Sequence, residues 1–165
     1  MKRFKVWGVA LAAVAVALAV AYFWSDRRQI RRQLDALAET ASVTGAERDL
    51  DRLVRAARLG GFFTEDVVIR RSEDNSAFVG GRPAVAAMAM QAVAGHRTMK
   101  VSIANVVITI ADRENATADM TVVVSTNNAE VEEVDLREVA ATFRKVNGTW
   151  LIAQAQVLPA RSGTP

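Results

Sequence analysis

The chain has 165 residues, carries a formal charge of +3, contains no cysteine and has only one histidine. All three net charges lie within residues 1–5, and from Asp26 onward eighteen Lys/Arg balance eighteen Asp/Glu, so no basic surface for a nucleic-acid partner is encoded. A single His and no Cys leave no ligand set for a zinc site, and no metal or other cofactor is expected.

The first element is an uncharged run over residues 6–24, directly behind Lys2, Arg3 and Lys5. As a helix rising about 1.5 Å per residue it spans most of a hydrocarbon core of roughly 30 Å. Trp7 stands at one end and Tyr22 and Trp24 at the other, where amphipathic rings favour the headgroup level. The expectation is a single transmembrane helix over residues 1–25. The alternative is a signal peptide, since Ala19-Val20-Ala21 fits a small-x-small cleavage site. Lys2, Arg3 and Lys5 on one flank nearly cancel Arg27, Arg28, Arg31 and Arg32 on the other. The likeness to an export signal favours a single-pass protein with its bulk domain periplasmic. The four arginines then meet anionic membrane lipid, or else form an ordinary solvated helix face.

Residues 26–158 are sized for one core, and the tail 159–165 is expected to fray. Ile30, Leu34, Leu37 and Ala41 repeat at helical spacing over 26–41. Thr44 precedes Glu47 as a capping box, and the helix it starts carries Leu50, Leu53, Val54 and Ala57 on one face before Gly60-Gly61 stops it. Val67-Val68-Ile69 forms a short strand. A third helix begins near Gly81-Arg82-Pro83, striped by Val85, Met88, Ala89, Ala92 and Val93.

From Thr98 the pattern becomes β, with strands expected over 98–111, 116–126, 133–146 and 149–158 and a two-residue turn at Asn147-Gly148. Two strands change phase. Met99, Val101 and Ile103 give way to Val106, Ile108 and Ile110 across Asn105; Val134 and Leu136 give way to Val139, Ala141 and Phe143 across Arg137-Glu138. Each slip predicts a β-bulge and a curved sheet, hence an α+β half-barrel.

Three passages, in order, resemble the nuclear transport factor 2-like superfamily in its SnoaL-like branch. They are Phe62-Phe63-Thr64-Glu65-Asp66-Val67 entering the first strand, Gly80-Gly81-Arg82-Pro83-Ala84-Val85 opening the third helix, and Asn147-Gly148-Thr149-Trp150 in the closing hairpin. The resemblance implies a cone-shaped domain, three helices on a curved, mostly antiparallel sheet, with a pocket inside and often a homodimer through the sheet. Members include ketosteroid isomerases, polyketide cyclases and dehydratases, and also non-catalytic membrane-anchored assembly subunits.

Candidates for chemistry are few. His96 follows the third helix, Asp119 lies in the second long strand, and Glu138 stands at the second expected bulge, where a side chain can be re-aimed as acid or base. Asn105, at the first bulge, and Gln154, sharing parity with Trp150 and Ile152, are orienting groups for a cavity face or a dimer face. Glu138 paired with Arg137 or Arg144 on a wet surface is the plain alternative. The sole tyrosine is Tyr22, so an isomerase-type oxyanion hole has no donor. The expectation is a membrane-tethered, non-catalytic accessory or scaffold subunit of an envelope protein complex. Its rival is an exported protein that binds, or acts on, a small apolar ligand such as a lipid or polyketide-like molecule.

Overall fold

The computed structural model describes residues 25–45, 49–71, 77–94, 98–128 and 131–158. The expected transmembrane run with Trp7, Tyr22 and Trp24, and likewise His96 and the tail 159–165, lie outside the described residues. Among the described residues no helix is long and apolar enough to cross a membrane.

Helix α1 covers residues 25–41 and buries Ile30, Leu34 and Ala38, while Arg27, Arg28, Arg31 and Arg32 point to solvent as the periodicity requires. After it come β1 (Val43–Thr44), α2 (Asp49–Gly60), β2 (Phe63–Arg71), β3 (Ala77–Gly80), α3 (Arg82–Ala94), β4 (Thr98–Ile110), β5 (Asn115–Asn128), β6 (Val131–Val146) and β7 (Thr149–Val157). One sheet holds all seven strands in the order β1-β4-β5-β6-β7-β2-β3. Only β2 and β7 pair in parallel; the other neighbours are antiparallel. The described helices pack on one face of the sheet, and among the described residues the opposite face is bare.

The first expected bulge is present. Register shifts between Ala104 and Val107, and Asn105 adopts φ 52°, a region Asn tolerates. The extra residue lets Met99, Val101 and Ile103 on one side and Val106, Ile108 and Ile110 on the other all pack toward the core. Asn147 and Gly148 both take positive φ, as their two-residue hairpin turn demands. In the β4–β5 turn Asp112 accepts hydrogen bonds from the backbone of Glu114 and Asn115 at 2.8 Å each. The Glu114 N–H, then the Asn115 side chain, hold its carboxyl below the ordinary range.

Three expectations need correction. Thr44 does not cap α2 but pairs with Thr98 in β1. The second bulge is absent, because β6 runs against β5 in one unbroken register from Asn115↔Arg144 to Asn128↔Val131. The apolar residues Val134 and Leu136 therefore stay on the bare face, half exposed, and the polar Arg137 and Asp135 fall on the helix side.

The third correction concerns α2. Its apolar stripe of Leu50, Leu53, Val54 and Ala57 faces solvent, with Leu50 69% and Leu53 56% exposed. Ala56 and Leu59 face the core, flanked by half-buried Arg52 and Arg55. The C-terminal end of the helix sets this rotation. Gly60 lies against the Arg82 side chain, where an added Cβ would meet Arg82 Cγ at 3.2 Å. Arg82 in turn donates from Nε and Nη2 to the Phe63 carbonyl at 3.1 and 2.8 Å. With Ala56 and Leu59 turned inward, helical periodicity turns 50, 54 and 57 outward and leaves Leu53 at the edge of that exposed face. Leu53→Glu is thus expected to change stability by less than about 0.5 kcal/mol, whereas Leu59→Ala costs about 2–5 kcal/mol. Urea denaturation of both variants checks the rotation; the reverse ranking would refute it.

Candidate functional site

The cone is plugged at one end. Phe143 and Trp150 from the closing hairpin, Val67 from β2 and Ile30 from α1 are all at most 1% exposed there. Asp26, in the first described turn of α1, is also 1% exposed. Its Oδ1 accepts from Lys145 Nζ at 2.8 Å and from Trp150 Nε1 at 3.1 Å, and the Lys145 ammonium lies 5.1 Å from the Trp150 ring centre. This buried acid thus fastens the start of α1 to the closing hairpin. In the sequence it looks like nothing more than a counter-charge to the arginines beside it.

Above the plug the cone opens into a chamber of about 420 Å³. Its walls come from α1 (Leu34, Leu37, Ala38, Ala41), α3 (Val85, Met88, Ala89, Ala92) and the helix-side residues of the sheet, including Phe63, Ile69, Met99, Met120, Val122, Val139, Ala141 and Val157. Among the described residues every lining side chain is apolar. Small side chains make the space: Ala38, Ala41, Ala89, Ala92, Ala141 and Ala155 stand where larger residues would close it. Val85, Met88, Ala89 and Ala92 of the stripe read for α3 therefore form its chamber face.

None of the described candidate residues reaches this chamber. Asn105 and Glu138 are brought together, but on the bare face of the sheet. Asn105 Nδ2 donates to Thr121 Oγ1 at 3.2 Å and Thr121 Oγ1 donates to Glu138 Oε1 at 3.3 Å. Asp119 pairs with Val107 and Ala140 on the same face, exposed and apart from that chain of bonds. Gln154 is there too. Register in β6–β7 shifts between Thr142↔Gln154 and Phe143↔Ile152, so Ala153 is an extra residue that separates Gln154 from the inward Ile152 and Trp150. The expected parity of Gln154 with Trp150 is broken by that bulge. Among the described residues no group of three or more His, Asp or Glu side chains is placed to hold a metal ion.

A mixed α+β cone, plugged by its closing hairpin and hollow above it, is accompanied by a match over residues 24–156 to the family model described as the SnoaL-like domain. The chain belongs to the SnoaL-like domain family. No curated protein matches it in sequence. Solved structures agree on the fold. A nuclear transport factor 2-like protein with a cystatin-like fold from Novosphingobium aromaticivorans superposes with a TM-score of 0.69 at 18% identity, covering 88% of this chain and 89% of that one. A candidate scytalone dehydratase from the same organism gives 0.68 at 15% identity, over 84% and 86% of the two chains. A candidate aromatic ring hydroxylase from that organism gives 0.66 at 15% identity, over 86% and 91%. The passages quoted from the SnoaL-like domain explain themselves in the structure. Gly81 takes φ 82° and donates its N–H to the Val67 carbonyl at 2.7 Å, Arg82 binds β2 at Phe63, and the Gly-x-Trp hairpin supplies the plug.

Proposed function

We propose that this SnoaL-like domain binds one small apolar molecule in its chamber, and that residues 6–24 tether it to a membrane on the extracytoplasmic side. The observation that carries the ligand reading is the wall itself: a cavity of about 420 Å³ whose described lining side chains are all apolar, within the size range of small-molecule sites. The candidate dehydratase and hydroxylase among the structural neighbours suggest organic small molecules as the class. Turnover would require an acid or base at the reacting centre. Asp119 and Glu138 stand on the other face of the sheet, so we read binding and delivery rather than catalysis. The chain enters α1 at the plugged end, and Ala41 at the far end of that helix lines the chamber. A tether leading into α1 would then leave the mouth about 25 Å further along the helix axis. Such a domain would exchange its ligand with something other than the bilayer patch beneath its own anchor.

Titration of the full chain with a neutral fluorescent naphthylamine tests the proposal. Saturable binding at one site per chain is expected; no enhancement above that of an unrelated protein would refute it.

A second reading, an accessory subunit that docks other proteins or a second copy, is favoured by two apolar surfaces. One is the outward stripe of α2, and the other is Val107, Val134 and Leu136 on the bare sheet face, each at least half exposed. Sedimentation of the full chain beside a Val134→Glu/Leu136→Glu variant separates a sheet-mediated assembly from a monomer.

A further inference from the structure

Beyond chamber-lining Val139 the helix-side face of β6 turns polar, with Arg137, Asp135 and Glu133 in succession. Because β6 holds one register against β5, Arg137 stands opposite Val122 and Asp135 opposite Val124, and both valines line the chamber. Alternation along the strand puts Arg137 on the same face as Val139, also in the wall. Arg137 is only half-buried, as a residue at a rim should be. Its Nε donates to Asp135 Oδ2 at 3.0 Å in a solvent-exposed pair, while its two terminal nitrogens bond no described residue. Across β7, Arg71 is the register partner of chamber-lining Val157 and continues the inward face of Ile69.

A guanidinium oriented from one side presents a planar fork that fits the two oxygens of a carboxylate. Deeper in, any polar group of a ligand would be buried without a hydrogen-bond partner, which is costly. The two conditions together describe a molecule with one anionic end and a long apolar body. Met88, Met99 and Met120 in the wall suit a flexible tail, since methionine fills irregular space readily. We infer that the chamber takes an amphiphilic carboxylic acid of the fatty-acid type, its tail in the cone and its carboxylate on Arg137. This inference rests on the apolar-ligand reading above and adds the chemistry of the head group.

The test displaces a neutral fluorescent naphthylamine from the full chain with dodecanoic acid and, in parallel, with dodecan-1-ol. The acid is expected to compete at about tenfold lower concentration than the alcohol, the scale of one charged hydrogen-bonded contact. Arg137→Gln should erase that preference and leave the alcohol curve unmoved, which also reports that the variant is folded. Equal competition by acid and alcohol in the wild type would overturn the head-group assignment, as would a preference that survives Arg137→Gln. In either case the chamber remains a ligand site. Failure of the naphthylamine itself to bind would overturn the chamber reading and this inference with it.

Discussion

Asp26→Ala is expected to destabilise the domain by about 3–5 kcal/mol, the scale for removing one partner of a buried ion pair. Two groups lose their acceptor at once. Lys145 Nζ is left as a largely buried ammonium, and the Trp150 indole N–H, inside the plug, is left without a hydrogen bond. Domains of this size are stable by only about 5–15 kcal/mol, so the loss is a large share of the total. Asp26→Asn keeps an oxygen in place for both donors and should cost less, on the order of 1–3 kcal/mol. Pairing Asp26→Ala with Lys145→Met removes the ammonium that Asp26 neutralises and should recover part of the loss. Urea unfolding followed by circular dichroism measures all three variants. If the double variant is no more stable than Asp26→Ala, the ion pair is not what holds α1 to the hairpin.

Ala89→Phe is expected to abolish apolar probe binding without harming the fold. Ala89 lies on α3 with its side chain toward the chamber and is only partly buried, so a ring there enters open space rather than a packed core. Filling a void adds contacts, and stability should stay level or rise by up to about 1 kcal/mol. A matched control, Ala87→Phe, places the same ring on the exposed side of the same helix and should leave binding intact. Parallel fluorescence titrations and melting curves decide the matter. Unchanged binding in Ala89→Phe would move the site elsewhere.

The sequence carries the scaffold more clearly than the site. Periodicity locates the faces of α1 and α3, and the strands from Thr98 onward, because those segments each have one apolar face and one wet one. It fails at α2, which has two short apolar stripes; tertiary packing of Ala56 and Leu59 puts the shorter one on the core. The strand β3 goes unseen, since four residues give too little pattern to register. The β7 bulge at Ala153 also escapes notice, because Gln154 and Ile152 share parity in the sequence and only the pairing with β6 separates them.

The described polar candidates and the chamber lie on different faces of the sheet. Carboxylates and amides attract attention as chemistry, yet Glu138, Asp119, Asn105 and Gln154 share the bare face. The chamber is instead written in alanines, valines and methionines that look like ordinary core. Asp135 and Arg137 share parity with Val139 in the sequence once no bulge is assumed between them.

Occupancy of the cone by a single apolar molecule is open to direct measurement. Native mass spectrometry of the full chain with dodecanoic acid, beside the Ala89→Phe variant, tests it most directly. The account predicts a single adduct on the wild type and none on the variant. Equal adducts on both proteins, or none on either, would contradict it.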